Sequence, residues 1–391
     1  CAIIKDYGED ADKTIAKPEG YDPSVFDCTC LELCSDTAVD VVDCDRMLEY
    51  GKLPNGKYMI NWLIKGNDYY INLIEMSYDE REKNLQAAKN FTLQWVYFIQ
   101  TEGGYKNLGL ADDEFPTDDN MPLIPYHRES RRLDGLVHLR TFDLVNPYTT
   151  PSGDLYKTGI AVGDYPLDHH HKRNPEPVNE TFPEIPSYNV PYGCLIPKEV
   201  DGLFVAEKSI SVTHLVNGTT RLQPVVLQIG QAAGAAAALC IENNKQPREI
   251  SVRKLQQRLL EADCWQMPFV DIAPEHWAFE AVQRIGLTGA MKGVGIPKGW
   301  SNKTFFYPDA IITYRDFMEA VSIANNYKAL PRDFDEAMVN NQITRIEAIQ
   351  FLWETIGAPQ PEGKKLEYAD ISEDNAQYKS VQYFTEKEWT M

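Results

Sequence analysis

The fold is decided by two nearby segments, Asp201-Gly-Leu-Phe-Val-Ala-Glu207 and Gln223-Pro-Val-Val-Leu-Gln-Ile-Gly-Gln-Ala-Ala-Gly-Ala-Ala-Ala-Ala238. The first predicts a short buried strand, and the second predicts a long helix with Pro224 in its first turn. A strand, a turn and a helix in this order present backbone amides to an anionic ligand in α/β proteins. Gly230 and Gly234 lie one turn apart, so the helix backbone can closely approach a ligand or a sheet. Periodicity alone leaves a core helix without a ligand as an equal alternative.

Composition excludes several functional classes. The 391 residues hold 38 Lys+Arg and 58 Asp+Glu, a net charge of −20, which argues against nucleic acid and anionic membrane surfaces as partners. The length predicts two or three domains. The most apolar run, 225–241, contains two glutamines and is short for a bilayer, so we expect no membrane span. Because the chain starts at Cys1 rather than Met, we expect it to belong to a longer polypeptide.

Hydrophobic spacing predicts a first domain over residues 1–184. Pro54-Asn-Gly56 predicts a hairpin turn, and apolar positions at steps of three or four predict an inserted helix over about 79–100. Between 126 and 192, short apolar runs alternate with turns, which predicts mostly strand. This part of the chain is therefore expected to be a mostly β domain with one helical insertion.

Two further domains are expected after residue 184. Residues 185–262 hold the strand–turn–helix segment and another helix over about 251–262. Residues 263–391 are predicted to be a small helical domain, because Thr313 and Thr344 are each followed three residues later by an acid, the pattern of a capping box. The predicted fold class is α+β or α/β with a helical domain at the C-terminal end.

Five of the eight cysteines lie in the first 44 residues. The spacing Cys28-x-Cys30-x-x-x-Cys34 lacks the paired C-x-x-C of zinc and iron–sulfur sites, so we predict no metal there. Two alternatives remain for these residues. The spacing favours free thiols that behave as small apolar side chains, and it leaves open a disulfide among them.

Several separated motifs resemble one known family over roughly residues 1–262. They are Val190-Pro-Tyr-Gly-Cys-Leu-Ile-Pro-Lys198, Asp201-Gly-Leu-Phe-Val-Ala206, Gly218-Thr-Thr-Arg-Leu-Gln-Pro224, Ile229-Gly-Gln-Ala-Ala-Gly234, Lys17-Pro-Glu-Gly-Tyr-Asp-Pro23, Arg128-Glu-Ser-Arg-Arg132 and Asp168-His-His170. This set is similar to the C-terminal flavin-binding half of the FAD-dependent oxidoreductases. Within that family it resembles a bacterial group labelled xanthan-lyase-like.

The resemblance implies an FAD/NAD(P)-binding fold of the glutathione-reductase type with a mostly β substrate domain. In such folds a G-x-G-x-x-G strand–turn–helix holds the ADP moiety of FAD, and no such motif follows a strand in these 391 residues, so we expect the fold to be incomplete. The helix that begins at Gln223 would direct its partially positive N-terminus toward the flavin ring. Residues predicted to contact FAD are Glu207, Lys208, Arg221, Gln223, Pro224, Gly230 and Gln231.

The resemblance also implies residues that act on the substrate. His handles protons, and Arg holds a carboxylate or polarises a carbonyl. The predicted catalytic residues are His170, Arg128, Arg132 and His214. For the arginine run, a solvated surface or an ion-pair network is the alternative. For His170 the alternative is a surface cluster or adventitious metal binding.

The last part of the chain resembles an S-layer homology module. The similar segments are 269–282, 289–293 and 306–313, and Phe269-Val-Asp-Ile272 recurs as Tyr368-Ala-Asp-Ile371. In that family the modules occur in threes and hold extracellular proteins on cell-wall polysaccharide. Its polymer-contacting Thr-Arg-x-Glu is matched by Thr344, Arg345 and Glu347. A structural helical cap on the oxidoreductase is the alternative.

These inferences predict part of an FAD-dependent oxidoreductase in a secreted or cell-envelope bacterial protein. The substrate is expected to be a small polar molecule or a saccharide that gives a hydride to flavin. We expect the complete protein to be an enzyme and this chain alone to be inactive. The alternatives are a polysaccharide-binding module without redox chemistry, with cell-wall polysaccharide as partner, and a polysaccharide lyase.

Overall fold

The computed structural model describes residues 1–35, 40–62, 64–148, 155–169, 181–326, 328, 330, 338–363 and 365–387. The described residues fall into two compact units. The first is Cys1–Ser130, and the second comprises 131–169 with the described residues from 181 onward. The predicted domain boundaries at 184 and 262 stay predictions.

The first unit is an antiparallel sheet with helices. Its strands are β1 (Ala2–Asp6), β2 (Lys52–Leu53), β3 (Lys57–Ile60) and β4 (Leu108–Leu110), in the order β2-β3-β1-β4. Its helices are α1 (Cys44–Tyr50) and α2 (Tyr78–Thr101).

Two predictions for this unit are confirmed. The turn at Pro54-Asn-Gly56 joins the antiparallel pair β2–β3. Helix α2 covers the predicted 79–100 and begins with a reciprocal capping box between Ser77 and Glu80. Its inner face buries Trp95, Val96 and Ile99 in the core of the unit.

Two disulfides hold the first part of this unit. They join Cys28 to Cys34 and Cys30 to Cys44. The favoured prediction of free thiols is therefore wrong for these four residues, because the chain folds back on itself between residues 28 and 44. The cysteines that remain free among the described residues are Cys1, Cys194, Cys240 and Cys264.

The second unit begins with α3 (Thr141–Val145), β5 (Gly159–Gly163) and β6 (Tyr188–Pro191), and β5 and β6 pair antiparallel. Three helices follow, α4 (His214–Thr220), α5 (Gln223–Asn243) and α6 (Val252–Leu260). The two strands and α4, α5 and α6 share one hydrophobic core, to which α5 contributes Ile229, Ala232 and Ala236. The predictions of the long helix and of the helix near 251–262 are confirmed.

Two predictions of strand are wrong. Between 126 and 192 the described residues hold only β5 and β6 as strands, and irregular segments fill the rest. Residues 201–207 form no strand, since Val205 donates one backbone hydrogen bond to Leu195 while Leu203 is exposed. The neighbouring segment turns at Tyr192–Leu195, so it offers no extended partner for a ladder.

The region after residue 262 is mainly helical. It contains α7 (Phe279–Thr288), the hairpin β7 (Val294–Ile296) with β8 (Lys303–Phe305), and then α8 (Tyr314–Ala324), α9 (Arg345–Thr355) and α10 (Tyr378–Glu386). Thr313 caps α8 with Asp316, and Thr344 caps α9 with Glu347, so both predicted capping boxes are confirmed.

Buried amides join this helical region to the preceding core. Gln266 Nε2 donates to the Gln256 carbonyl at 3.0 Å, and Asn189 donates to the Gln266 carbonyl at 2.7 Å. Gln283 in turn accepts from the Gln266 amide at 3.1 Å. Because each buried amide is costly to leave unpaired, this network fixes how the two regions pack.

Helix α5 is long and apolar enough, by length and composition, to cross a membrane. The sequence argument that 225–241 is too short and too polar is therefore wrong, because the helix extends to Gln223–Asn243. A core helix meets the same criterion, and one such helix is weak evidence for a span. The absence of a membrane span stays a prediction.

Candidate functional site

The segment 164–169 packs directly on helix α4, and Gly218 makes this contact possible. A Cβ added at Gly218 would lie 1.7 Å from the carbonyl oxygen of Asp168. On the same helix Thr219 donates its hydroxyl to the Tyr165 carbonyl at 2.5 Å, and Tyr188 contacts that hydroxyl at 2.6 Å. Burial raises the pKa of Tyr188 above its ordinary value, so the phenol stays protonated and donates. The loop is thus held against α4 at two points.

Arg221 lies between α4 and α5 and forms an ion pair with Asp168. Its Nη2 is 3.0 Å from Asp168 Oδ2, and the two side chains are 16 % and 27 % exposed. Reduced exposure strengthens such a pair relative to one in open solvent. The structure therefore brings the predicted Arg221 together with the Asp168 of the Asp-His-His motif.

Two histidines lie beside this pair. His214 is the first residue of α4, and its ring centre is 5.8 Å from that of His169. His169 also contacts Phe182 edge to face at 4.8 Å. The predicted His170 lies outside the described residues. The described site thus offers two imidazoles that can exchange protons with a substrate.

The start of α5 is open. Its N-cap residue is Leu222, which provides no side-chain hydrogen bond, and no acidic residue occupies the first turn. Gln223 and Pro224 are exposed, while Gln228 accepts from the Val162 amide at 2.9 Å and ties the helix to β5. The Gln223 and Val225 amides and the positive end of the helix dipole are therefore available to a negatively polarised group.

The outer face of α5 carries small side chains that no described atom covers. A Cβ added at Gly230 or Gly234 meets no described atom within 4 Å. Gln231 on the same side is exposed. Another group can therefore approach the outer face of this helix closely, as predicted, whereas the inner face already packs in the core.

A scan of protein families gives one match. The model described as FAD dependent oxidoreductase matches residues 3–259. The chain belongs to this family. No curated protein and no solved structure matches the chain.

The cofactor of the FAD dependent oxidoreductase family is FAD. The start of α5 tests whether the residues present can hold FAD. Leu222 provides no side-chain cap, so the backbone amides of Gln223 and Val225 remain for an electron-rich carbonyl of a flavin. The residues present fit the flavin end of FAD, and the 391 residues hold no G-x-G-x-x-G motif after a strand for the ADP end.

Glu207 and Lys208 form a short 3-10 turn, Glu207–Ser209, in the oxidoreductase. Glu207 has a φ of 62°, in the left-handed region that favours glycine, and its side chain is exposed. Strained backbone of this kind occurs at functional sites. The predicted FAD contacts of these two residues stay predictions.

The predicted arginines belong to different units. Arg128 lies in the first unit, and Arg132, which is exposed, belongs to the second. The catalytic roles of Arg128 and Arg132 stay predictions.

The three residues predicted to contact polymer lie at the start of α9. Glu347 accepts the Thr344 amide at 2.9 Å and the Thr344 hydroxyl at 2.5 Å, so both side chains serve the capping box. Arg345 is exposed beside them. Their contact with polysaccharide stays a prediction.

Sequence reasoning missed Gly218, Thr219 and Tyr188, which position the loop at the site. Gly218-Thr-Thr was noted only as a family motif, and nothing local showed that the glycine receives a backbone carbonyl. It also missed one donor cluster. Among the described residues, Cys30, Glu32 and Cys44 bring ligand-type atoms within 4.8 Å of one another, but a disulfide joins the two sulfurs.

Proposed function

We propose that this FAD-dependent oxidoreductase oxidises a small polar molecule or a saccharide by transferring a hydride to FAD. The open, uncapped start of α5 beside the Arg221–Asp168 pair carries the proposal. When bound, FAD would supply the two-electron acceptor that no side chain offers. Arg221, Gln223 and the first-turn amides of α5 would hold its flavin end, with Glu207 and Lys208 nearby.

The residues of the chain supply binding and proton handling. Oxidation of an alcohol carbon removes a hydride from carbon and a proton from oxygen, and the proton needs an acceptor. His214 and His169 are the described imidazoles of the site, and His214 is fixed at the first position of α4. The Arg221–Asp168 pair would orient a polar substrate beside them.

The test uses the protein expressed from its complete gene. We expect it to bind FAD, to gain thermal stability with added FAD, and to lose flavin absorbance when saccharides are added without oxygen. Arg221→Met is expected to weaken FAD binding, whereas the matched control Arg284→Met removes only an exposed pair with Glu280. Absence of both flavin absorbance and stabilisation would refute the proposal.

We propose further that the protein is secreted or held at a bacterial cell envelope and belongs to the xanthan-lyase-like group. Support comes from the two disulfides, which persist in oxidising compartments. The second candidate function is polysaccharide binding by the S-layer-like region. The exposed Arg345 beside the capping box favours it.

A cell-wall pull-down separates the two candidate functions. If polysaccharide binding is the function, glycan retention survives Arg221→Met and disappears with Arg345→Ala. Retention that is unchanged in Arg345→Ala would reject this second function.

A further inference from the structure

A small cleft lies in the second unit, next to the loop that carries Asp168. Three segments line it, Pro166–Leu167, Phe182–Ile185 and 297–302, and it encloses about 120 Å³. Three of its lining residues are prolines, so their backbone is stiff. The volume is below that of a site for a large ligand and suits one ring.

Two aromatic residues are chain neighbours of residues that line this cleft. Trp300 follows the lining residue Gly299 and is 73 % exposed. Tyr165 precedes the lining residue Pro166, and its ring centre is 5.3 Å from that of Trp300 at 62°. The pair joins two of the lining segments and presents a large aromatic face to solvent.

Asn302 places an unused donor in the wall. The residue is 4 % exposed. Its backbone N–H donates to the Asp164 carbonyl at 3.0 Å, and its side-chain Oδ1 accepts from the backbone N–H of Lys298 at 2.7 Å. Its Nδ2 finds no hydrogen-bond partner among the described residues. A buried donor without a partner costs about 1–3 kcal/mol, which a ligand oxygen at this position would recover.

Glu184 supplies the complementary acceptor. It is the one charged side chain among the described residues that line the cleft, and it is exposed. A carboxylate accepts hydrogen bonds and donates none when ionised. The cleft therefore combines one donor and one acceptor, and the exposed Trp300 lies in the chain between its lining residues Gly299 and Asn302.

We propose that this cleft binds one ring of a neutral saccharide. A sugar hydroxyl both accepts and donates, so it can pair with Asn302 and with Glu184, while the C–H face of the ring packs on Trp300. A proline-rich peptide fits less well, because its backbone presents mainly carbonyl acceptors. The Glu184 carboxylate is also an acceptor, so no hydrogen bond would form between them. An acidic sugar would bring a second negative charge to Glu184.

The location connects the cleft with the flavin site. The segment 164–169 contributes Pro166 and Leu167 to the cleft and Asp168 to the pair with Arg221. The inference extends the proposed function by giving its saccharide substrate a binding position. Its test measures binding without flavin, so the cleft and the redox activity can fail separately.

The test is ligand-observed NMR and calorimetry on the full chain with D-glucose, D-mannose and maltose. Glucuronate and a hexaproline peptide serve as the competing ligand classes. Contacts from a single ring predict a Kd in the millimolar range for the neutral sugars. No binding of any neutral sugar by folded protein, or binding of hexaproline instead, would overturn the proposal.

Three variants assign the binding to the cleft. Trp300→Ala should weaken it about tenfold or more, and Trp300→Phe should retain most of it. Asn302→Asp keeps the acceptor for the Lys298 amide but removes Nδ2, and should also cost about tenfold.

The matched control is Trp277→Ala, since Trp277 is also 73 % exposed but has no cleft-lining residue as a chain neighbour. Equal loss in Trp277→Ala, or none in Trp300→Ala, would contradict the assignment. If Asn302→Asp fails to fold, the Trp300 variants still decide whether the sugar binds at the cleft.

Discussion

Replacing Gly218 by alanine should disrupt the candidate site from within. The new Cβ would lie 1.7 Å from the carbonyl oxygen and 2.6 Å from the carbonyl carbon of Asp168. Both are backbone atoms, so no flexible side chain can move away. To restore an ordinary contact, the loop must retreat by more than about 1 Å, which lengthens the 3.0 Å Arg221–Asp168 pair and the 2.5 Å bond from Thr219.

The magnitude follows from three terms. Overpacking of this kind costs about 1–3 kcal/mol, and loss of a buried hydrogen bond adds about 1 kcal/mol. Alanine recovers about 1 kcal/mol of helix propensity. We therefore expect Gly218→Ala to lower the free energy of unfolding by about 1–3 kcal/mol.

Urea denaturation followed by tryptophan fluorescence measures this loss, and Gly234→Ala is the matched control. Gly234 also lies within a helix, but an added Cβ meets no described atom within 4 Å, so alanine should stabilise by up to about 1 kcal/mol. If both variants gain stability alike, the packing of the 164–169 loop on α4 is refuted.

Three further predictions concern backbone strain, disulfides and charge. Glu207→Gly should raise the unfolding free energy by about 0.5–1 kcal/mol in urea titrations because its φ is 62°, whereas the control Ala206→Gly, at φ −116°, should lower it; a loss in both would contradict the strain. Alkylation with mass spectrometry should find two disulfides, and eight reactive cysteines in the native protein would contradict this. Reducing the Cys30–Cys44 disulfide, which spans 14 residues, should cost about 3 kcal/mol of stability in thermal melts. Lys57 and Lys5 hold the pKa of Asp113 below its ordinary value of 3.8, so the stabilising effect of this carboxylate is present above pH 3.8 and is lost as pH falls through the folded-state pKa. The difference in unfolding free energy between wild type and Asp113→Asn should therefore shrink in acid. A difference that grows in acid would contradict this role of the lysines.

Local patterns predicted the helices well. The apolar spacing of α2 and α5 and the Thr–Asp and Thr–Glu pairs before α8 and α9 act within a few residues, so the chain itself contains the signal. The strand predicted at 201–207 failed because a strand needs a partner, and the partner segment turns at Tyr192.

The candidate site was only partly predictable. The motif identified Arg221 and the Asp-His-His sequence, but their pairing spans 53 residues and depends on tertiary packing. The role of Gly218 depends on a carbonyl 50 residues earlier in the chain, which no local spacing records. The disulfide partners were likewise open, because spacing alone does not fix connectivity.

Hydrogen–deuterium exchange of the first turn of α5, with and without FAD, tests the central claim most directly. In the protein expressed from its complete gene, FAD should slow exchange of the Gln223 and Val225 amides, which the Leu222 side chain leaves uncapped. Peptides from α10 provide the internal control and should exchange unchanged. Slowed exchange elsewhere in the protein, with the Gln223 and Val225 amides unaffected by bound FAD, would contradict the assignment of this helix end to the flavin.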